Sequence, residues 1–387
     1  MGHRGFRVLP LSNCNESGTS GESEVMTSVW KRLGLGLAVI ATASVTASAA
    51  TQNALPQRAR QATGVVRPAP PAPPYIRDRI DDLGRSFSGR VGIAVKSIDD
   101  GWATGWKDDD LYPQQSVSKL WVSIAAMDAV DRGQVSLNDK VTLDRSDLTV
   151  FHQPIRALIL GGGGYTTTLG DLMVKAITTS DNTANDKLMR SVGGPEAVRS
   201  MIRNKHLGAI RFYNGERALQ SRIAGLIWSP SYSIGNAFFE ARDALPLAAR
   251  RAAFNRYVAD PYDGAAPSAI VNALARLKRG ELLSQGSTDR LLDIMSHTKT
   301  GANRLKGGLQ PGWVLNHKTG TGQELGGQQA GYNDIGILTA PDGRSYSVAV
   351  MIKLTSVPLP VRMALMNNVV RAVITQHDMQ YSAVAQR

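Results

Sequence analysis

Ser116 and Lys119 are residue types that can form and break an acyl bond together. They are three positions apart, so on a helix they share one face and the lysine amine can reach the serine oxygen. A serine hydroxyl is a weak nucleophile until a nearby base takes its proton, and a lysine can do so when burial or a second cation lowers its pKa. The first turn of a helix also offers backbone N–H groups that stabilise a developing oxyanion. This pair therefore indicates nucleophilic catalysis by a serine.

The serine–lysine spacing is common, so its surroundings have to identify the reactive copy. It occurs three times, beginning at Ser28, Ser116 and Ser296, and a pair on a solvated helix is the ordinary alternative. The residues that follow the second copy, Val117–Val130, are apolar on most faces of a helix. They predict a helix buried inside a sizeable domain, with Gly133 as its stop.

Two more short segments carry polar residues beside predicted elements. Ser180–Asn182 lies in a tight turn between two predicted helices, where a Ser-Asp-Asn run is also an ordinary turn or cap. Lys-Thr-Gly occurs twice, at Lys299–Gly301 and at Lys318–Gly320. The second copy ends a predicted strand, so its backbone can border a cleft, and we select it.

The predicted elements place strands at both ends of the folded chain and helices between them. Strands are predicted at residues 90–97, 102–106, 313–318, 331–339 and 346–353. Helices are predicted at residues 75–86, 117–130, 168–177, 183–191, 195–206, 267–279, 288–297 and 359–376. This order predicts an α+β fold: one antiparallel sheet built from both termini and flanked by helices, with an all-helical subdomain.

Residues 26–49 have the pattern of a secretory signal peptide. Lys31 and Arg32 precede the apolar run Leu33–Val45, and Ala47–Ala49 form a small-residue cleavage site. The apolar run is too short to span a bilayer, so a retained membrane anchor is the weaker alternative. We therefore expect a secreted or periplasmic protein with no stable membrane insertion after cleavage.

Three further regions complete the predicted domain organisation. Residues 1–25 are interpreted as an extension upstream of the true start, residues 50–74 as an extended Pro-rich linker, and residues 75–387 as one catalytic domain. Cys14, the single cysteine, lies in the upstream extension. The mature chain therefore has no disulfide, thiol nucleophile or cysteine metal site.

The composition bounds the class of protein. The chain has 387 residues, 42% of them hydrophobic and 20% charged, which is enough to bury a full core. The net charge of +12 favours acidic surfaces, but no Lys/Arg-rich run indicates nucleic-acid binding. We expect a monomer.

The three motifs together resemble those of serine β-lactamases and penicillin-binding proteins. Ser116–Lys119, Ser180–Asn182 and Lys318–Gly320 occur in the order of that superfamily's three signatures. Each also falls on the expected kind of element: a helix start, an inter-helix turn and a strand end. The resemblance covers about residues 75–380 and implies a β-lactamase/D,D-peptidase-like fold.

A fourth segment points to class A β-lactamases. The residues from Glu216 to Gln220 follow Ser180 at a distance similar to that in class A, and they resemble its Glu-x-x-Leu-Asn loop. In that class the glutamate holds the water that hydrolyses the acyl-enzyme. A lone glutamate on a loop is usually a solvated charge, but its place among the other motifs favours the catalytic interpretation.

The resemblance implies a role for each matched residue. Ser116 attacks the lactam carbonyl and becomes acylated. Lys119 helps to activate it and, with Glu216, positions the water, while the identity of the acylation base stays open. Ser180 relays a proton to the leaving nitrogen, and Asn182 bonds to Lys119 and to the substrate side chain.

The last motif supplies the substrate clamp. The resemblance implies that Lys318 and Thr319 hold the substrate carboxylate, with Gly320 in the same binding strand. The backbone N–H groups of Ser116 and Thr321 would form the oxyanion hole. It implies neither a metal ion nor a cofactor.

The chain also departs from the class A pattern. Gln220 replaces the usual Asn, so water positioning can differ. The segment Arg211–Gly215 also lacks the arginine that in class A comes just before a tryptophan–glutamate pair and usually pins the loop by a salt bridge. Residues 222–262 exceed the usual connection and are interpreted as an inserted helical subdomain, with a lid, an interface or simple packing as its role. Gln115 and Asn333–Asp334 resemble a subgroup of extended-spectrum class A enzymes.

Three functions remain open at this point. The leading one is an exported serine β-lactamase that hydrolyses penicillins or cephalosporins. The second is a penicillin-binding D,D-peptidase acting on peptidoglycan peptides, which shares the motifs but needs no deacylating glutamate. The third is a β-lactam-binding domain that is acylated without turnover. Glu216 favours the first.

Overall fold

The structure is a computed structural model and describes residues 69–381. The predicted upstream extension, the predicted signal peptide and residues 50–68 of the predicted linker lie outside the described residues. Within the described part, Pro74 begins the first helix, where its fixed backbone angle suits the first helical position.

The bounds of most elements fall within a few residues of the predicted ones. In chain order the helices are α1 (Pro74–Ser86), α2 (Lys119–Asp131), α3 (Arg156–Gly161), α4 (Leu169–Thr178), α5 (Asn182–Ser191), α6 (Gly194–Asn204), α7 (Glu216–Ala224), α8 (Ala237–Ala244), α9 (Leu247–Ala259), α10 (Pro267–Lys278), α11 (Gln285–Ser296) and α12 (Leu359–Tyr381). The strands are β1 (Arg90–Ser97), β2 (Ala103–Trp106), β3 (Tyr112–Pro113), β4 (Lys140–Leu143), β5 (Tyr165–Thr168), β6 (Gly264–Ala265), β7 (Val314–Thr321), β8 (Glu324–Leu325), β9 (Gln328–Gln329), β10 (Tyr332–Thr339) and β11 (Ser345–Leu354).

A five-stranded antiparallel sheet joins the two ends of the described chain. Its strand order is β2-β1-β11-β10-β7, with Ile93 opposite Val350 in the central β1–β11 pair. The smaller pairs β3–β6, β4–β5 and β8–β9 lie outside this sheet. The prediction of an α+β fold with an antiparallel sheet built from both termini is confirmed.

Both faces of the sheet are covered, because successive strand residues point to opposite sides. On one face Val91, Ile93 and Val95 pack with α1 and α12 in one buried cluster. On the other face Ala94 and Met351 join a second cluster that contains α2, α10 and α11. The fold is therefore a sheet between two helical layers.

Helix α2 lies inside the second cluster and is buried on nearly every side. Leu120, Trp121, Ile124 and Met127 are all at most 1% exposed, as expected for a helix that is apolar all round. The segment before it differs from the prediction, because Gln115–Ser118 forms a 3-10 turn and the α-helix begins only at Lys119. This turn carries Ser116 to the helix entrance.

The segment of residues 222–262, called here the 222–262 segment, contains α8 and α9. Phe254 and Tyr257 of α9 pack against Leu219 and Ile223 of α7 in a buried cluster. Phe238 of α8 joins a second small cluster with Val150 and Ala224. Helices α8 and α9 of the 222–262 segment are thus packed onto α7, the helix that Glu216 begins.

Within residues 69–381, none of the helices is both long enough and apolar enough to span a lipid bilayer.

Gly320 allows β7 to lie directly against the turn that carries Ser116. A Cβ at this position would overlap the carbonyl oxygen of Gln114 and crowd Val117. A residue with any side chain would therefore push the strand and the turn apart.

We expect Gly320→Ala to lower the free energy of unfolding by about 1–3 kcal/mol, because overpacking forces the backbone to shift. Urea denaturation followed by circular dichroism measures this change. Gly286→Ala is the matched control: it lies in α11 with open space around it, so it should be neutral or stabilising by up to about 1 kcal/mol. Equal midpoints for Gly320→Ala and the parent protein would contradict the overlap.

Candidate active site

The amine of Lys119 lies at the centre of the site and is fully buried. Its Nζ donates to Ser116 Oγ at 2.6 Å, to Asn182 Oδ1 at 2.7 Å and to Glu216 Oε1 at 2.6 Å. Three acceptors match the three protons of an ammonium group. Four of the predicted catalytic and binding residues therefore meet around one nitrogen atom.

Ser180 and Lys318 form a second contact beside the first. Lys318 Nζ donates to Ser180 Oγ at 3.0 Å and to the Thr319 carbonyl at 2.9 Å. Burial, and then the positive charge of Lys119, lower the pKa of Lys318 well below its ordinary value. Ser180 has a backbone φ of 59°, a conformation uncommon for serine that directs the turn into the site.

The middle residue of the Ser-Asp-Asn motif has a structural part. Asp181 Oδ1 accepts from the Ala184 N–H at 2.8 Å and caps α5, while Oδ2 accepts from the Ile155 N–H at 2.7 Å. Burial raises the pKa of Asp181. Asn182, the first residue of α5, also donates from Nδ2 to the Val150 carbonyl at 2.9 Å. These bonds fix the amide whose oxygen faces Lys119.

The predicted residues open onto one cleft of about 520 Å³. Ser116, Ser180, Asn182, Thr319 and Thr321 line it. Lys119, Glu216 and Lys318 lie beneath this surface, and Gly320 holds β7 against the turn. The structure brings all nine predicted site residues together, and the two residues predicted to form the oxyanion hole line the same cleft.

Glu216 begins a helix and does not lie on a loop as predicted. The Asp186 carboxylate caps this helix, accepting from the Glu216 N–H at 2.9 Å and from the Arg217 N–H at 3.4 Å. Burial, with the charge of Glu216, raises the pKa of Asp186. The cap comes from α5, a different part of the chain, so no local capping pattern marks it in the sequence.

Gln220 contacts Glu216 directly. Its Nε2 donates to Glu216 Oε2 at 3.1 Å and to Gln115 Oε1 at 3.1 Å, while its Oε1 accepts from Gln323 Nε2 at 3.0 Å. The departure from the usual Asn therefore has a structural meaning, since this amide holds the second oxygen of the glutamate.

Two residues missed by the sequence analysis lie beside the predicted carboxylate clamp. Arg304 donates to the Gly320 carbonyl at 3.0 Å and to Thr321 Oγ1 at 2.5 Å. Thr300, from the Lys-Thr-Gly copy that was not selected, contacts Thr319 with 2.7 Å between the two hydroxyl oxygens. Both line the cleft. The unselected Lys-Thr-Gly copy at Lys299–Gly301 was the only sequence signal for either residue.

The mouth of the cleft is partly formed by the 222–262 segment. Phe239 and Arg242 of α8 line it together with Phe151 and His152. The Phe151 and Phe239 ring centroids are 5.9 Å apart, and the Arg242 guanidinium lies 5.2 Å from the Phe239 ring centroid. This side of the mouth is therefore aromatic with one cation.

A buried carboxyl, Asp263, supports the turn that carries Ser116. Its Oδ2 accepts from the Gln115 N–H at 2.7 Å and its Oδ1 accepts from the Tyr257 hydroxyl at 2.9 Å. Burial raises the pKa of Asp263 to about 7. Sequence reasoning had no signal for it, because its partners are distant in the chain.

No group of three or more His, Cys, Asp or Glu side chains among residues 69–381 is arranged to hold a metal ion.

The sheet between two helical layers and the serine–lysine–glutamate cluster together define a serine-dependent hydrolase of the β-lactamase type. A model of the Beta-lactamase enzyme family matches residues 75–377. The chain belongs to this family, and its relatives assign it to class A.

Individual relatives are similar over most of their length. The VEB-1 β-lactamase of Pseudomonas aeruginosa is 26% identical over 275 residues, which cover 71% of this chain and 81% of that protein. The extended-spectrum β-lactamase PER-1 of the same species is 28% identical over 280 residues, covering 72% and 80%.

Solved structures agree with the assignment. A β-lactamase from Chitinophaga pinensis DSM 2588 is 26% identical and superposes with a TM-score of 0.64, covering 78% of this chain and 98% of that one. An ancestral class A β-lactamase is 27% identical with a TM-score of 0.62, covering 78% and 99%.

The raised pKa of Asp263 predicts a pH dependence of stability. The folded state holds this proton up to about pH 7, whereas an unfolded aspartate releases it near pH 4. This group therefore stabilises the fold below pH 4, and that contribution is lost as pH rises to 7, at about 1.4 kcal/mol per pH unit.

Asp263→Asn removes this titration. The unfolding free energy of the variant minus that of the parent should therefore increase from pH 4 to pH 7 and stay constant above pH 7. Urea denaturation across this pH range measures the difference. Asp260→Asn is the control, because Asp260 is 75% exposed on the same loop. Parallel curves for Asp263→Asn and the parent throughout would contradict the raised pKa.

Proposed function

We propose that the protein hydrolyses β-lactams through an acyl-enzyme on Ser116, with deacylation by a water that Glu216 activates. One observation carries the proposal: Lys119 Nζ is bonded at once to the Ser116 hydroxyl and to the Glu216 carboxylate, both at 2.6 Å. A proton leaving the hydroxyl has a continuous hydrogen-bonded path to a carboxylate. Neither alternative function needs that carboxylate.

In the acylation step Ser116 Oγ attacks the lactam carbonyl carbon. The hydroxyl proton passes to Lys119 as Lys119 gives one of its own protons to Glu216, or it reaches Glu216 through a water, and the C–N bond of the ring breaks. Ser180, bonded to Lys318 at 3.0 Å, delivers a proton to the departing nitrogen, and the proton taken from Ser116 restores the Ser180 hydroxyl. The backbone N–H groups of Ser116 and Thr321 stabilise the oxyanion.

In the deacylation step water attacks the ester that joins the opened ring to Ser116. Glu216 takes a proton from the water, the ester C–O bond breaks and the serine oxygen regains a proton. The product is a ring-opened acid. Glu216 suits this part because it is 3% exposed and both of its oxygens are held, one by Lys119 and one by Gln220.

The substrate carboxylate binds at the cleft end formed by β7. Lys318 and Thr319 hold it, and the guanidinium of Arg304 adds a second positive charge beside Thr321. An anion there replaces the lost hydration of the buried lysine. The carboxylate that penicillins and cephalosporins carry beside the lactam ring satisfies this requirement.

We propose, too, that the protein is exported, with residues 26–49 removed and residues 75–387 forming the catalytic domain, into which residues 222–262 are inserted. The basic, apolar and small-residue runs of residues 31–49 support export. N-terminal sequencing of the periplasmic protein should find a start near residue 50. Full-length protein confined to the cytoplasm would contradict export.

Replacing Glu216 should stop turnover after acylation. With a chromogenic cephalosporin, the parent should turn over continuously, whereas Glu216→Ala should release one equivalent of product and retain a covalent adduct on Ser116. Deacylation should fall by about 10²–10⁴-fold, the usual contribution of general acid–base catalysis. Stopped-flow absorbance and intact-protein mass spectrometry measure both.

Glu240→Ala, at an exposed position on α8, is the matched control and should behave as the parent. Sustained turnover by Glu216→Ala would show that another group activates the water. A single burst from the parent protein would favour the β-lactam-binding domain. Release of D-alanine from a peptidoglycan peptide would favour the D,D-peptidase.

The lowered pKa of Lys318 predicts an alkaline limit to substrate capture. Because its pKa is lowered, this lysine loses its charge at a lower pH than an ordinary lysine does. Above that pH, kcat/KM for a carboxylate-bearing penicillin should fall about tenfold per pH unit. Lys318→Arg keeps its charge, so its lower kcat/KM should be flat over the same range. A flat parent profile up to pH 10.5 would contradict this assignment.

A further inference from the structure

The 222–262 segment places one buried hydroxyl beside the residue that precedes the nucleophile. Tyr257 of α9 is fully buried, and its hydroxyl oxygen accepts from Gln115 Nε2 at 2.5 Å. The same hydroxyl donates to Asp263 Oδ1 at 2.9 Å. No step of the proposed reaction uses this tyrosine.

Gln115 is held at both its backbone and its side chain. Its N–H donates to Asp263 Oδ2 at 2.7 Å, and its φ is 54°, an unusual conformation for a residue with a side chain. Surrounding contacts have to maintain such a conformation. Asp263 and Tyr257 supply them one residue before Ser116.

The hydrogen bonds continue from Gln115 to the catalytic carboxylate. Gln115 Oε1 accepts from Gln220 Nε2 at 3.1 Å, and the same nitrogen donates to Glu216 Oε2 at 3.1 Å. The other oxygen of Glu216 bonds to Lys119. A chain of side chains therefore joins Tyr257 to Glu216.

The direction of this chain is fixed by its two ends. Above about pH 7, where Asp263 is ionised, its carboxylate accepts, so the Tyr257 hydroxyl donates its single proton there and has only a lone pair for Gln115. Gln115 must then present its NH₂ to the tyrosine and its oxygen to Gln220. Gln220 in turn has to direct its NH₂ at both Gln115 and Glu216.

A side-chain amide with two N–H groups is suited to this central position, because it donates to both sides. Its oxygen is directed away from Glu216 and accepts from Gln323 at 3.0 Å. Glutamine is one methylene longer than the usual asparagine, which provides reach to both acceptors. The replacement at position 220 and the presence of Tyr257 therefore belong to one arrangement.

We propose that Tyr257 is a positioning residue for deacylation, acting through Gln115 and Gln220 to hold the Glu216 carboxylate towards Lys119 and the ester. This inference rests on the proposed function and assigns the 222–262 segment a part in it. The segment thus holds the water-activating carboxylate of Glu216 through hydrogen bonds, in addition to lining part of the cleft.

Tyr257→Phe tests the proposal, because it removes the hydroxyl and keeps the ring that packs against Leu219 and Ile223. We expect the acylation rate constant to change by less than about threefold, while deacylation slows about tenfold, the loss of one buried hydrogen bond. Both kcat and KM should fall, with the acyl-enzyme accumulating. Stopped-flow kinetics and quench mass spectrometry measure the two steps.

Tyr262→Phe is the matched control, since the Tyr262 ring lies 5.8 Å from that of Tyr257 but its hydroxyl is not part of the hydrogen bonds that join Tyr257 to Glu216. It should deacylate like the parent. Gln220→Asn should slow deacylation as Tyr257→Phe does. The double variant should deacylate no more slowly than the slower of the two single variants, because both substitutions interrupt the same series of hydrogen bonds. Additive losses, or equal losses in acylation and deacylation, would overturn the proposal.

A crystal structure of Tyr257→Phe gives a readout that is independent of turnover. The Gln220 amide should leave Glu216 or take a second orientation, whereas an unchanged amide would overturn the proposal. If the parent protein formed no adduct on Ser116, the proposed function itself would fail. That result differs from an adduct that Tyr257→Phe hydrolyses at the parent rate.

Discussion

The buried charge of Lys119 is the constraint on which the rest of the site depends. An ammonium group with no exposed surface costs several kcal/mol to desolvate unless it is paired and its protons are all bonded. Here the partners come from the turn before α2, from the start of α5 and from the start of α7. A shift of any of the three would leave a buried charge without a partner. The electrostatic requirement of one side chain thus fixes the relative placement of three elements.

Three buried aspartates satisfy that requirement indirectly by binding backbone N–H groups. Asp181 caps α5, Asp186 caps α7, and Asp263 binds the N–H of the residue before Ser116. Each carboxylate therefore fixes the backbone that bears one partner of Lys119. Their raised pKa values share burial as the principal cause. The motifs supply the proposed reacting groups, and these aspartates set their positions.

The fold was predictable because alternation and apolar faces are local properties. The five sheet strands and most helices lie within a few residues of their predicted bounds, and the motif residues meet as the resemblance implied. What could not be predicted depends on contacts between distant segments. Asp186 caps a helix thirty positions away, and Tyr257 reaches Gln115 across the chain. Arg304 and Thr300 likewise join the clamp only through tertiary packing, although a repeated Lys-Thr-Gly indicated their segment.

The order of the strands has a consequence for the timing of activity during synthesis. β1 pairs with β11, and β7 packs on the turn that carries Ser116. The proposed nucleophile therefore leaves the ribosome long before the strand that completes its cleft. An unfinished chain holds the nucleophile without Lys318 or Thr319. Such non-local pairing also delays folding. The proposed acylation of Ser116 therefore requires that the final strands have been translated and have docked.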